Sequence, residues 1–174
     1  MIGSMPLLHR LARLRVPLGF LFGAMALYLA RPTWRSIAIG MAVGASGQII
    51  RLWAAGHLEK SREVTQSGPY RYMRHPLYVG SSLMAVGLAV ATRSWPVTLL
   101  IAVYMVATLT AAIRTEEAFL RGRFGDEYDA YAANRAPASA RRFSFVRAWR
   151  NREYRALAGF ALAIALLVAK AAFG

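Results

Sequence analysis

The chain has 174 residues, 57% of them hydrophobic, with 22 Lys or Arg against 8 Asp or Glu for a formal charge of +14, and no Cys. The missing Cys excludes disulfides, thiolate nucleophiles and Cys metal sites, while the long apolar runs leave too little polar sequence to cover a soluble core. On a soluble protein such a charge would point to nucleic acid; here the Arg residues flank apolar segments, where anionic headgroups account for them, and nucleic acid is not expected as a partner.

Apolar runs at about 16–30, 36–54, 77–92, 96–113 and 156–173 are each close to the roughly 20 residues that carry a helix across a ~30 Å hydrocarbon core. They predict an all-α, polytopic integral membrane protein of five spans, a single domain over 1–174. Three Arg in 1–15, four Lys or Arg in 56–76 and ten Arg in 114–155 contrast with two in 31–35, Arg93 alone and Lys170 alone. The positive-inside rule then puts the N-terminus and both long loops in the cytoplasm and the C-terminus outside. The first run reads as a retained span without a cleavage site. The short form and missing targeting signals suggest a prokaryotic inner membrane.

In the second span, Gly40, Gly44, Gln48 and Arg51 recur every three or four residues and share one helical face. Gly40 and Gly44 form a small-xxx-small pair that permits close helix contact, within one chain or in a weak homodimer. Arg51 either snorkels to the headgroups or lines a polar cavity between helices.

The stretch "HLEKSREVTQSGPYRYMRHP" is broken by Ser67, Gly68 and Pro69 and again at Pro76, so it predicts an ordered loop. Pro76 suits the first turn of the third span, with His75 at its N-terminus. The later loop begins as a helical extension of the fourth span. Gly122 and Gly125 are expected to loosen its end, with Asp126 capping a short helix that carries Tyr128 and Tyr131. Beyond Pro137, Arg residues mixed with Phe143, Phe145 and Trp149 predict an interfacial amphipathic segment over 138–155 before the last span. All eight carboxylates lie in the two long loops, so acid, base or charge-pairing chemistry belongs at that one membrane boundary.

"SGPYRYMRHPLYVG", followed about forty residues later by "EE", the Phe124-Gly125 pair and "EYDAY", resembles the isoprenylcysteine carboxyl methyltransferase and phospholipid methyltransferase superfamily over residues 62–137. These are integral membrane enzymes that use S-adenosylmethionine and release S-adenosylhomocysteine. The resemblance implies that Arg62, Glu63, Val64, Thr65 and Tyr70 form one wall of the cofactor pocket, and His75, Pro76, Leu77 and Tyr78 the other. Glu116 matches the carboxylate that holds the cofactor's amino group; the sequence does not separate it from Glu117. Arg114 matches an acceptor-binding Arg, although its spacing to Phe124-Gly125 differs from that in the eukaryotic prenylcysteine enzymes.

The residue chemistry is compatible with this. A sulfonium cation, a zwitterionic end and an adenine ring need a carboxylate, hydrogen-bond donors and apolar walls. In-line methyl transfer needs alignment and exclusion of water rather than a nucleophile. Arg114 would orient a carboxylate acceptor; Glu117 or His75 would take the proton of an amine. Taken singly, His75 reads as an interfacial histidine, Tyr70, Tyr72 and Tyr78 as an aromatic belt, and Arg71 and Arg74 as positive-inside residues.

The expected acceptor is a lipophilic small molecule, lipid-like or isoprenoid, reached from the membrane. Two alternatives are a membrane NADPH-dependent reductase of sterol-reductase type and a non-catalytic protein binding lipid or a partner. No metal is expected: His9, His57 and His75 are far apart and no HExxH occurs.

Overall fold

The structure, a computed structural model, describes residues 21–135 and 140–174. Its elements run α1 (residues 21–29), α2 (Trp34–Ala55), a 3-10 turn (Gly68–Arg71), α3 (Pro76–Thr92), α4 (Trp95–Phe124), α5 (Asp126–Ala132), α6 (Phe145–Arg150) and α7 (Tyr154–Phe173), with no strand among the described residues. The protein is an all-α polytopic membrane protein: α2, α4 and α7 are long and apolar enough to cross a bilayer. The 17 residues of α3, at about 1.5 Å each, fall slightly short of a ~30 Å core. The first expected span lies partly outside the described residues, and the Arg residues of 1–15 and Pro137 wholly so.

Glycine sets the closest packing. α2 and α3 cross with Gly40 against Gly87 and Gly47 against Gly80; a Cβ on Gly47 would lie 2.5 Å from the Gly80 carbonyl oxygen and 2.8 Å from the Met84 amide nitrogen. Gly44, on the same face as expected, receives the ring of Phe160 from α7. Ala30, Ile37, Ala91, Phe160, Ile164 and Leu167 form the core around this crossing. At the far end, the Ser36 hydroxyl donates to the Ala91 carbonyl at 3.1 Å and ties the start of α2 to the end of α3. Dispersion and backbone proximity, rather than large side chains, hold helices together in lipid.

α4 is attached differently. After a tight turn at Arg93 (φ 48°), it runs for thirty residues of which only Val97 is buried. It ends at Gly125, whose φ of 47° makes the reversal into α5 in one residue. Asp126 therefore does not cap α5: Gly125 holds that position, Asp126 is the first helical residue, and no side-chain capping bond forms. Gly122 also lies inside α4 and does not loosen it.

The topology gathers the C-terminal ends of α2 and α4 with the N-terminal ends of α3 and α7. The loop between α2 and α3 is ordered, as expected. The Glu59 amide donates to the Thr65 hydroxyl at 3.2 Å, and Gly68 (φ 57°) packs against the ring of His57, where a Cβ would fall 2.5 Å from Nδ1.

Candidate active site

The gathered helix ends enclose a cavity of about 760 Å³, within the range that holds a small-molecule ligand. Glu63, Val64, Thr65 and Tyr70 line one side, and His75, Pro76, Leu77 and Tyr78, the first turn of α3 and its cap, line another. Glu116 faces in from α4 beside Ala111, Ala112, Thr115, Phe119 and Leu120. The two segments of the sequence motif, separated by two helices, thus meet across one space.

Arg62, Arg114 and Glu117 are not among the lining residues. The Arg62 side chain is 72% exposed and reaches only toward Glu59, at 4.0 Å. Arg114 is exposed: the cavity-facing positions of α4 step 111, 112, 115, 116, 119, 120, and Arg114 sits off that stripe. Glu117 stands beside the stripe and turns to the other elements. One of its oxygens accepts from His75 Nε2 at 3.1 Å and from Arg74 at 3.4 Å, and the other pairs with Arg121 at 3.6 Å. Glu116 and Glu117 are thereby separated: the first faces the cavity, the second holds His75, whose ring stacks on Tyr78 at 5.6 Å.

Three other carboxylates line the cavity, and each belongs to an arginine. Glu59 takes Arg147 at 2.8 Å and Arg150 at 2.7 Å, Glu63 takes Arg141 at 2.6 Å, and Glu153 takes Arg51 at 2.7 Å. Glu116 has no arginine or lysine within 4.0 Å among the described residues; its neighbours are His75 Nδ1 at 3.9 Å and the Tyr78 hydroxyl, a neutral donor. The cavity therefore carries one carboxylate whose charge is not already countered. Beside it, the Tyr131 hydroxyl donates to the Tyr70 carbonyl at 2.9 Å. Burial pushes the Tyr131 hydroxyl up to about 12, and burial, with the nearby Glu116 charge, pushes that of Tyr70 far upward, so both remain neutral donors.

The cavity floor is a buried ion pair. Arg51 Nε donates to one Glu153 oxygen at 2.7 Å and Nη2 to the other at 3.0 Å, while Nη1 reaches the Ser81 hydroxyl at 2.5 Å and the Leu77 carbonyl at 3.3 Å. Gln48 adds a bond to Glu153 at 3.1 Å. Of the two readings of Arg51, the cavity is the one the structure shows. The sequence reading gave Glu153 no role; as the one acid in an Arg-rich stretch just before a span, it was the signal available. Asn151, which donates to the Ala55 and Leu58 carbonyls at 2.8 and 2.9 Å, was also missed.

Among the described residues no group of three or more His, Cys, Asp or Glu is placed to hold a metal ion.

The model of the phospholipid methyltransferase family matches residues 35–127, more than half of the chain. Among curated proteins, the cobalt-zinc-cadmium resistance protein CzcN of Cupriavidus metallidurans is 35% identical over 146 residues, 80% of this chain and 67% of that protein. The nickel-cobalt-cadmium resistance protein NccN of Alcaligenes xylosoxydans xylosoxydans is 37% identical over 120 residues, 66% of this chain and 55% of its own length. A protein-S-isoprenylcysteine O-methyltransferase of Schizosaccharomyces pombe is 34% identical over 86 residues, 49% of this chain but 36% of its own. No solved structure matches the chain significantly.

Proposed function

The chain belongs to the phospholipid methyltransferase family, and from that premise we propose that it transfers a methyl group from S-adenosylmethionine to a carboxylate, amine or hydroxyl of a lipid-like or isoprenoid acceptor at the cytoplasmic leaflet, leaving S-adenosylhomocysteine. The observation that carries this is Glu116, the cavity carboxylate without an arginine or lysine partner among the described residues. It suits the cofactor's ammonium. Val64, Tyr70 and Tyr78 offer apolar walls, and the Leu77 amide suits its carboxylate: Pro76 has no N–H and the Tyr78 amide already donates to the His75 carbonyl at 3.0 Å, which leaves Leu77 as the free leading donor of α3. When bound, the cofactor supplies an electrophilic methyl group; alignment and dryness are what remain for the protein to supply.

For an amine or hydroxyl acceptor a proton must leave. His75 Nε2 donating to Glu117 leaves the Nδ1 lone pair on the side of Glu116, so His75 is the base and Glu117 its positioning residue. For a carboxylate acceptor no proton needs removal, and the guanidiniums on the cavity wall are Arg51 and Arg74 rather than Arg114. Ala111, Ala112 and Phe119 give the α4 side an apolar surface along which a lipophilic acceptor reaches the site from the inner leaflet. The N-terminus and long loops face the cytoplasm, by their excess of Arg and Lys.

Calorimetric binding of S-adenosylmethionine, S-adenosylhomocysteine and NADPH to the purified protein tests this. Both sulfur compounds bind, and Glu116→Ala weakens them about 10- to 100-fold, the worth of a charge-assisted hydrogen bond. Unchanged affinity in Glu116→Ala removes the carboxylate assignment; binding of NADPH alone replaces the methyltransferase reading with the reductase one.

A further inference from the structure

The segment from residue 140 to 153 lies as a strap across the loop between α2 and α3. Its inner side is firmly held. Arg147 bonds Glu59 at 2.8 Å and the Gly56 carbonyl at 2.5 Å, Arg141 bonds Glu63 at 2.6 Å, and Phe143 packs 6.0 Å from His57.

Its outer side is apolar at the centre and basic around it. Phe145, Val146 and Trp149 share one face of α6 and are 72%, 78% and 68% exposed. Around them stand the exposed Arg142, Arg150, Arg152 and Arg155. The one acid of this stretch, Glu153, is buried on Arg51 and Glu59 takes Arg150, so among the described residues no carboxylate lies within 4.0 Å of the Arg142, Arg152 or Arg155 guanidinium. Position indicates what covers the face: Trp149 stacks at 4.6 Å on Tyr154, the first residue of α7, a helix long and apolar enough to cross a membrane. α6 therefore lies at the level where α7 enters the bilayer. An apolar centre with a cationic rim at that depth is the chemistry of an interfacial helix on an anionic leaflet.

We infer that α6 docks into the headgroup layer of an anionic leaflet, with Phe145, Val146 and Trp149 among the upper acyl chains and the exposed arginines on lipid phosphates. This docking keeps the strap closed on Glu59 and Glu63, two residues of the cavity wall. The inference stands whichever reaction the cavity supports.

A variant with Trp34, Trp53 and Trp95 changed to Phe leaves Trp149 as the single reporter of a chain with four Trp. It is placed in nanodiscs of neutral phosphatidylcholine, or of the same lipid with about 30 mol% phosphatidylglycerol, brominated high on the acyl chains. Trp149 is quenched roughly twofold more in the anionic discs, the gain expected from headgroup attraction to several arginines. Adding Arg142→Gln, Arg152→Gln and Arg155→Gln removes that gain while leaving Arg147 and Arg150 on Glu59. Hydrogen exchange over residues 56–65 slows in the anionic discs. Equal quenching in both lipids, or quenching by aqueous iodide in both, overturns the docking; exchange that ignores lipid charge overturns the coupling to the cavity wall.

Discussion

Removing the Glu153 carboxylate isolates the ion pair at the cavity floor. In Glu153→Ala, Arg51 keeps its bonds to Ser81 and Leu77 but loses both bonds to the carboxylate, and its charge is left uncompensated between α2, α3 and α7. Breaking one side of a buried pair costs about 3–5 kcal/mol. The Arg51 side chain retains 19% exposure and lines a cavity that admits water, so the lower end, about 3 kcal/mol, is expected. For a chain of this length that is a fall in Tm of roughly 6–12 °C, measurable by thermal unfolding in detergent. The double variant Arg51→Met/Glu153→Leu recovers most of the loss, because an apolar pair removes the desolvation cost together with the attraction. A Glu153→Ala protein within about 0.5 kcal/mol of wild type, or a double variant no more stable than the single one, would refute the assignment.

At the helix crossing, Gly47→Ala places a methyl group against backbone of α3 that cannot rotate away, costing about 1–3 kcal/mol. Gly159→Ala, with nothing within 4 Å, is neutral or slightly stabilising in the same unfolding assay. Glu59 has its carboxyl held below the usual 4.5, first by the hydrogen bond from Arg147 and with Arg150 adding to it against the opposing effect of burial. A depressed folded pKa means that its stabilisation is complete above the unfolded value and is lost as pH falls through the folded one. Thermal unfolding scanned from about pH 7 to pH 3 therefore declines in acid for wild type and less steeply for Glu59→Gln; parallel profiles would exclude Glu59 as the titrating group. Arg114→Ala, off the cavity face of α4, leaves S-adenosylmethionine affinity unchanged by calorimetry, whereas Glu117→Gln, which loosens His75, lowers the rate with an amine or hydroxyl acceptor more than it lowers cofactor affinity.

The helices were legible because hydrophobic runs of membrane length leave few alternatives, and His75 and Pro76 fell where proline chemistry puts them, at the cap and first position of α3. The face shared by Gly40, Gly44 and Arg51 was legible for the same reason, since helical spacing alone decides it. What resisted was helix phase against a neighbour. Arg114, Glu116 and Glu117 are consecutive or nearly so, and only the seating of α4 beside α3 determines that Glu116 looks inward, Glu117 toward His75, and Arg114 away. The Arg51–Glu153 pair joins residues 102 positions apart, with four helices between them, and no local pattern encodes such a contact.

α2, α3 and α7 interlock over glycine and core residues, but α4 is secured near its beginning, at Val97, and again some thirty ångströms on, by Glu117 to His75 and Arg74. Between those points its side chains are at most partly buried, Ile101, Met105, Leu109 and Ile113 among them. Mechanically this is a lever with its pivot on the face remote from the chemistry and a polar catch at the chemistry itself. A rotation of a few degrees at the pivot moves Ala111 to Leu120 by an ångström or two and changes the width of the cavity, while the first turn of α3 stays fixed.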